Sequence, residues 1–297
     1  MVDWQFFALL LSNGVLIGLM YSLIALGFVL VYKATDAINF AQGEFVMIAG
    51  FLVAVALGAY GAPLWLAVAL ALAVMIAFGF GLERVMLRPL IGRPIVAVIM
   101  ATIGLAAILR GFGPLMWGAE TKPLPLPIPD EPIVWGPFFI PPIQLLGAGV
   151  SLLFLAIFGW FFLRSRQGIA MRAVADSQQV AMAMGVNVER YFALAWAMTG
   201  IVSALGGLIW GNLLGVDVHL ALVGFKVFPV VILGGLDSIP GAIIGGLIVG
   251  IVENVAAGYI DPWVGGGTKD FAPYVLMILA LMIRPYGIFG KQIIERV

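Results

Sequence analysis

Cysteine is absent from the 297-residue chain, so neither a disulfide nor a thiolate metal site can form. There is a single histidine, His219, and without partner histidines or cysteines it reads as a loop or interface residue, not a metal ligand. Charge is scarce as well. Only 10% of residues are charged, where a soluble domain carries about a quarter. Such a chain cannot cover a water-facing surface. Its formal net charge is zero, which leaves no basic field for nucleic acid. Neither a G-x-S-x-G elbow nor an H-E-x-x-H pair occurs. The stretch "GGGTKD" at residues 265–270 lacks phosphate-loop spacing and a following helix pattern, and reads as a flexible external loop. No catalytic residue and no metal site is therefore assigned, and the chain is expected not to hydrolyse ATP by itself. The N-terminus, "MVDWQFFALL", has no basic region and does not read as a cleaved signal peptide.

What the chain has in quantity is apolar sequence: 63% of residues are hydrophobic and the mean hydropathy is +1.14. Lipid is its solvent. A helix of about 20 apolar residues crosses the hydrocarbon core. Uncharged runs at 6–32, 63–82, 143–163 and 191–216 meet that length. Others are shorter or interrupted: 45–59, 95–109 running into Arg110, and 271–283 with Pro273. The run "VFPVVILGGLDSIPGAIIGGLIVGIVENVAAGY" is broken at 234–240 and contains Glu253. The fold expected is an all-α polytopic membrane bundle, a single domain over 1–297. It would have eight or nine transmembrane helices, several of them discontinuous.

Basic residues set the orientation. Arg84, Arg88 and Arg93 cluster; Arg164, Arg166, Arg172 and Arg190 bracket a loop at 164–190; Arg284, Lys291 and Arg296 close the chain. These three segments are placed in the cytoplasm, with the C-terminus, and the N-terminus falls outside. Residues 112–142 go to the external side, with nine prolines and only Lys122 against Glu120, Asp130 and Glu131. Their "KPLPLPIPDEP" core is expected to be extended polyproline-like chain. In the 164–190 loop, "DSQQVAMAMG" offers Asp176 as a helix N-cap and Gly185 as a stop. That short helix either meets a partner protein or lies on lipid headgroups.

Polar residues are few, and their positions are informative. "INFAQGEF" sets Asn39, Gln42, Gly43 and Glu44 between two apolar stretches. A second interruption holds Gly235, Asp237 and Gly241, and the pair resembles a faint internal repeat. Interruptions in corresponding halves point to a transport site. Lys33, Asp36 and Lys226 read as helix-end residues reaching the headgroups. Glu44 and Glu253 either line a pathway or satisfy backbone freed at a break. Glycines four apart, at 14/18, 207/211, 241/245 and 246/250, read as packing seams or a dimer face.

Four separated motifs carry a family resemblance. "GLMYSLIALGFVLVYKATDAINFAQGEFVMIAGF" resembles the first segment of LivH-type permeases of bacterial ABC importers for branched-chain amino acids, the hydrophobic amino acid uptake family. Ile38, Asn39, Phe40, Ala41, Gly43 and Glu44 match its I-N-F-A-H-G-E pattern, while Gln42 replaces the usual histidine. "MRAVADSQQVAMAMGVNVERYFALAWAMTGIVSALGGLIWG" resembles its coupling loop. "VILGGLDSIPGAIIGGLIVGIVEN" and "ALMIRPYGIFG" resemble its late motifs, with Asp237 where a glycine is usual.

The resemblance implies a five-part importer in the bacterial inner membrane. Its parts are this permease, a second permease that is usually a paralogue, two cytosolic ATPases carrying ATP and magnesium, and an external solute-binding protein. No cofactor is implied in this chain itself. Ala175, Asp176 and Gly185 correspond to the segment that seats on an ATPase. Asn39, Gln42, Gly43, Glu44, Gly235, Asp237 and Gly241 would belong to the substrate pathway, for branched-chain or other hydrophobic amino acids. The alternative reading is an importer or channel for urea, short amides or aromatic acids, of which a passive channel would leave the coupling loop without a task.

Overall fold

The computed structural model describes residues 4–90, 93–129, 131–136 and 138–290. The expectations placed on Asp130, on the N-terminal end and on Lys291 and Arg296 lie outside the described residues.

Among the described residues eleven α-helices follow one another: α1 (Trp4–Thr35), α2 (Gln42–Gly58), α3 (Leu64–Leu82), α4 (Ile95–Trp117), α5 (Pro142–Arg164), α6 (Arg166–Asp176), α7 (Gln178–Ala183), α8 (Val188–Leu214), α9 (Leu222–Gly234), α10 (Ile239–Val264) and α11 (Thr268–Ile283). Six are long and apolar enough to cross a membrane: α1, α3 with its extension to Leu90, α4, α5, α8 and α10. Gln42–Gly58 and Val218–Gly234 are shorter apolar helices. With α11 as a ninth, the expected helical membrane bundle is what is found.

Several boundaries differ from the sequence expectation, each for a local reason. Helix α4 does not end near Arg110 but runs on to Trp117, because the guanidinium finds a carboxylate partner. After the "KPLPLPIPDEP" core the chain adds strands not expected from the sequence: Ile133–Trp135 (β1) and Phe138–Ile140 (β2) form an antiparallel hairpin. "GGGTKD" is not a loose loop. Gly265, Gly266 and Gly267 all take positive φ to reverse the chain, and α11 starts at once with Thr268, whose N–H is accepted by Asp261.

The chain divides into two units. One comprises Met1–Ala25, Pro127–Leu153 and Phe225–Val297; the other comprises Leu26–Leu126 and Phe154–Gly224.

In the first unit α1 meets α10 along a glycine seam. A Cβ on Gly14 would fall 2.7 Å from the Ile251 Cα, and one on Gly18 would fall 2.6 Å from the Gly246 carbonyl oxygen. Gly250 abuts Gly14 and Gly18 in return. Small residues here allow backbone-to-backbone contact, which in lipid supplies the dispersion energy that water exclusion cannot. The seam is internal to the chain, which settles its reading as packing. Also in this unit, the last carbonyls of α9 are left open where the helix stops at Gly234. The N–H groups of Ile288 and Phe289 donate to Leu233 and Gly234 at 2.8 and 3.1 Å. The "RPYGIFG" motif therefore closes the break that "GGLDSIPG" opens, pairing carbonyls that a helix end leaves without intrahelical partners.

In the second unit α2 is apolar and buried nearly all round, enclosed by α3, α4 and α8. Phe45 packs against Phe78 and Trp196, with ring centroids 5.2 and 6.0 Å apart. Helix α3 instead buries only Ala67, Ala71, Met75 and Gly79, a four-residue repeat forming one stripe against α8. Trp65, Leu70, Val74 and Phe80 of α3 face outward, as in a lipid-exposed helix.

The proline-rich segment is tied to this unit near its start. Lys122 and Val216 exchange backbone bonds at 3.0 and 2.9 Å, and the Thr121 hydroxyl donates to Asp217 at 2.7 Å. Burial pushes the Asp217 carboxyl up, but bonds from Thr121 and His219 outweigh it and hold it below its ordinary value. A carboxyl depressed in the folded state adds stability that is present above its unfolded pKa and lost as pH falls through the folded one. Wild-type protein is expected to lose thermal stability below about pH 4, while Asp217→Asn loses less over the same window. Identical pH profiles in melting experiments would remove Asp217 as an anchor.

Candidate functional site

The first polar interruption begins where α1 ends at Thr35 and the chain turns through residues 36–41 into α2. Ala41, the residue before α2, offers no side-chain cap. The turn is held from within: Asn39 Oδ1 accepts the Ala41 N–H at 3.1 Å, and Asn39 Nδ2 donates to Gln42 Oε1 at 3.4 Å. Gln42 Nε2 then donates to the Ser203 hydroxyl of α8 at 3.1 Å. On the other side, the Phe40 N–H reaches the Thr102 hydroxyl of α4 at 3.3 Å. Asn39, Gln42, Thr102 and Ser203 are all essentially inaccessible. Buried polar groups are costly unless partnered, and here each has a partner.

Gly43 and Glu44 complete the first turn of α2. Gly43 lies against Ala221 and Gly224 so closely that two main chains touch: a Cβ on Gly224 would fall 2.6 Å from the Gly43 Cα. Glu44, 1% exposed, forms an ion pair with Arg110 of α4, whose Nε donates at 3.2 Å. Asn39, Gln42, Gly43 and Glu44 are thus one contiguous cluster in the second unit. The partners Ser203, Thr102 and Arg110 complete it.

Gly235, Asp237 and Gly241 sit together in the first unit at the junction of α9 and α10. Gly235 has φ +105°, and Ser238 caps α10 by accepting the Gly241 N–H at 3.0 Å. Asp237 is half-buried. Both interruptions precede a helix N-terminus, where partial positive charge favours an anion. Glu253, further along α10, is 1% exposed, takes a bond from the Tyr21 hydroxyl and lies 4.0 Å from Lys269. Lys226 pairs with Asp270 at 2.7 Å.

The 164–190 segment departs from expectation at its cap. Asp176 is the last residue of α6, not the N-cap of the next helix. Ser177 takes extended geometry instead, and its hydroxyl accepts the Val180 N–H at 3.3 Å while its own N–H closes α6 on Ala173. Two adjacent capping residues compete, and the one where α6 runs out prevails. Ala175 lies on α6, partly buried. Gly185 follows α7 with φ +82°, a left-handed turn suited to glycine. Between them α7 and its C-cap residue Met184 leave Val180, Met182 and Met184 exposed at 62%, 56% and 79%. Gln178, at its start, donates to the Ala34 carbonyl at the end of α1 at 3.2 Å.

The sequence matches the profile of the family described as "Branched-chain amino acid transport system / permease component" over residues 10–283. It is 33% identical to the high-affinity branched-chain amino acid transport system permease protein LivH of Escherichia coli K12, covering 99% of both chains. It is 32% identical to BraD of Pseudomonas aeruginosa, covering 97% of each. With a probable LivH of Methanocaldococcus jannaschii it shares 27% identity over 95% of this chain and 92% of the other. A profile matched along almost all of a helical membrane chain, with a third of its residues shared end to end, establishes that the protein belongs to the permease component family of branched-chain amino acid transport systems.

Proposed function

We propose that the chain forms the passage through which an ABC importer of the bacterial inner membrane takes up branched-chain or other hydrophobic amino acids. Its N-terminus lies outside and its C-terminus inside. A second permease, an external binding protein and two cytosolic ATPases complete the machine, and ATP with magnesium is held by the ATPases. The observation that carries this reading beyond the family is the coupling segment. Helix α7 offers Val180, Met182 and Met184 to a partner while Gln178 ties it to the end of α1. From Ala34 the chain passes directly through the turn at 36–41 into Asn39, Gln42, Gly43 and Glu44. A push on α7 therefore reaches the start of α2, and the break at Gly235, Asp237 and Gly241 supplies the matching articulation in the other unit. Alternating access is the expected mechanism.

Val180→Glu and Met184→Glu test it without burdening the fold, since both side chains are exposed. Each is expected to weaken ATPase copurification by about 30-fold, in the range of an interface hot spot. Coupled uptake should fall with it while the membrane level of the permease is kept. Undiminished copurification and uptake would remove α7 as the docking element.

A further inference from the structure

A cavity of about 190 Å³ opens within the second unit beside the end of α1. Two opposite charges line it: Asp36, in the turn after α1, and Arg93, just before α4. Among the described residues neither side chain has a hydrogen-bond or ion-pair partner, although both border the same space. Both residues are exposed, and partial desolvation raises the Asp36 carboxyl. Leu87, Val98 and Phe192 provide apolar wall, and Gln178, the residue that ties α7 to α1, also faces in.

This lining selects its ligand by exclusion. A simple cation would answer Asp36 alone, and a simple anion would answer Arg93 alone. A molecule bearing an ammonium and an anionic group on an apolar body satisfies both charges and the wall. We propose that the cavity binds a free hydrophobic amino acid as a zwitterion, its ammonium on Asp36 and its carboxylate on Arg93. The inference rests on the reading of the chain as an amino acid permease and adds regulation to it. An occupant touching Gln178 holds α7 against α1 and slows the cycle when product accumulates on the coupling side. The headgroup of an ethanolamine phospholipid carries the same two charges and is the competing source.

The test uses the purified complex without its binding protein, titrated with leucine, leucinol, 4-methylpentanoate and phosphoethanolamine. Leucine is expected to bind, and the two analogues lacking one charge should bind about tenfold more weakly or worse. Asp36→Asn and Arg93→Gln should each weaken leucine by about the same factor. Leucine loaded inside vesicles should slow wild-type uptake, and Asp36→Asn should abolish that slowing. Leucine binding unchanged in both variants, no leucine binding, inhibition by internal leucine that survives Asp36→Asn, or phosphoethanolamine binding in preference to leucine would each overturn the inference. Uptake of labelled leucine by the wild type reports on the transport reading separately. Uptake without binding at the cavity overturns this inference alone, whereas binding without uptake supports the cavity and overturns transport.

Discussion

Gly43→Ala protein reaches the membrane at a small fraction of the wild-type level and unfolds at lower temperature in detergent. The added methyl would overlap the Ala221 carbonyl oxygen and lie 3.2 Å from the Gly224 Cα. Both obstacles are main chain, so no rotamer change makes room. Helix α2 cannot retreat, because it is enclosed by α3, α4 and α8. Overpacking a well-filled interior costs about 1–3 kcal/mol, more where backbone must move. Gly224→Ala meets the same contact from the opposite side and should behave alike. Gly58→Ala is the control: nothing lies within 4 Å of the position, and its level and melting point should stay at wild type. Equal stability of Gly43→Ala and Gly58→Ala would show that α2 and the 221–224 segment are not in contact as described.

The ion pair between Glu44 and Arg110 gives the second large effect, and it is asymmetric. Glu44 is 1% exposed, while Arg110 is 43% exposed. Arg110→Leu leaves a carboxylate enclosed without its cation, a loss of about 3–5 kcal/mol. Glu44→Leu leaves a guanidinium on a long stem that can turn outward, so its cost is smaller. The double variant removes both charges and should recover most of the loss, because no enclosed carboxylate is then left without its cation. Denaturation of the three variants in detergent measures this order. Arg110→Leu as stable as wild type would show that the pair does not hold α2 to α4. Uptake by the stable double variant then separates two roles. Retained transport makes the pair structural, and silent transport makes the Glu44 charge part of the passage.

Much of the fold could be read from the lengths of the apolar runs, since lipid admits few alternatives to a closed helix. The misread boundaries share a cause. Arg110 read as a terminus because a lone cation in an apolar run has no local partner. Its carboxylate lies in α2, and no pattern of spacing discloses a contact so distant in sequence. Asp176 and Ser177 are both good caps, and only the end of α6 decides between them. In the candidate site, Asn39, Gln42 and Glu44 stood out as polar groups among apolar ones. Thr102 and Ser203 did not, because single hydroxyls are common in membrane helices and can bond to their own backbone. The closure of α9 by Ile288 and Phe289 was equally hidden, since main-chain donors carry no sequence signal.

The glycine seam between α1 and α10 bears on how the protein is made. Its two faces lie far apart in the polypeptide: Gly14 and Gly18 are translated well before Gly246 and Gly250. At ordinary elongation rates the early face waits for roughly tens of seconds before its complement is inserted. Until then a bare ridge of peptide backbone must be sheltered by lipid or by the insertion machinery, and translation halted before Gly246 yields a nascent permease whose α1 has nothing to clasp.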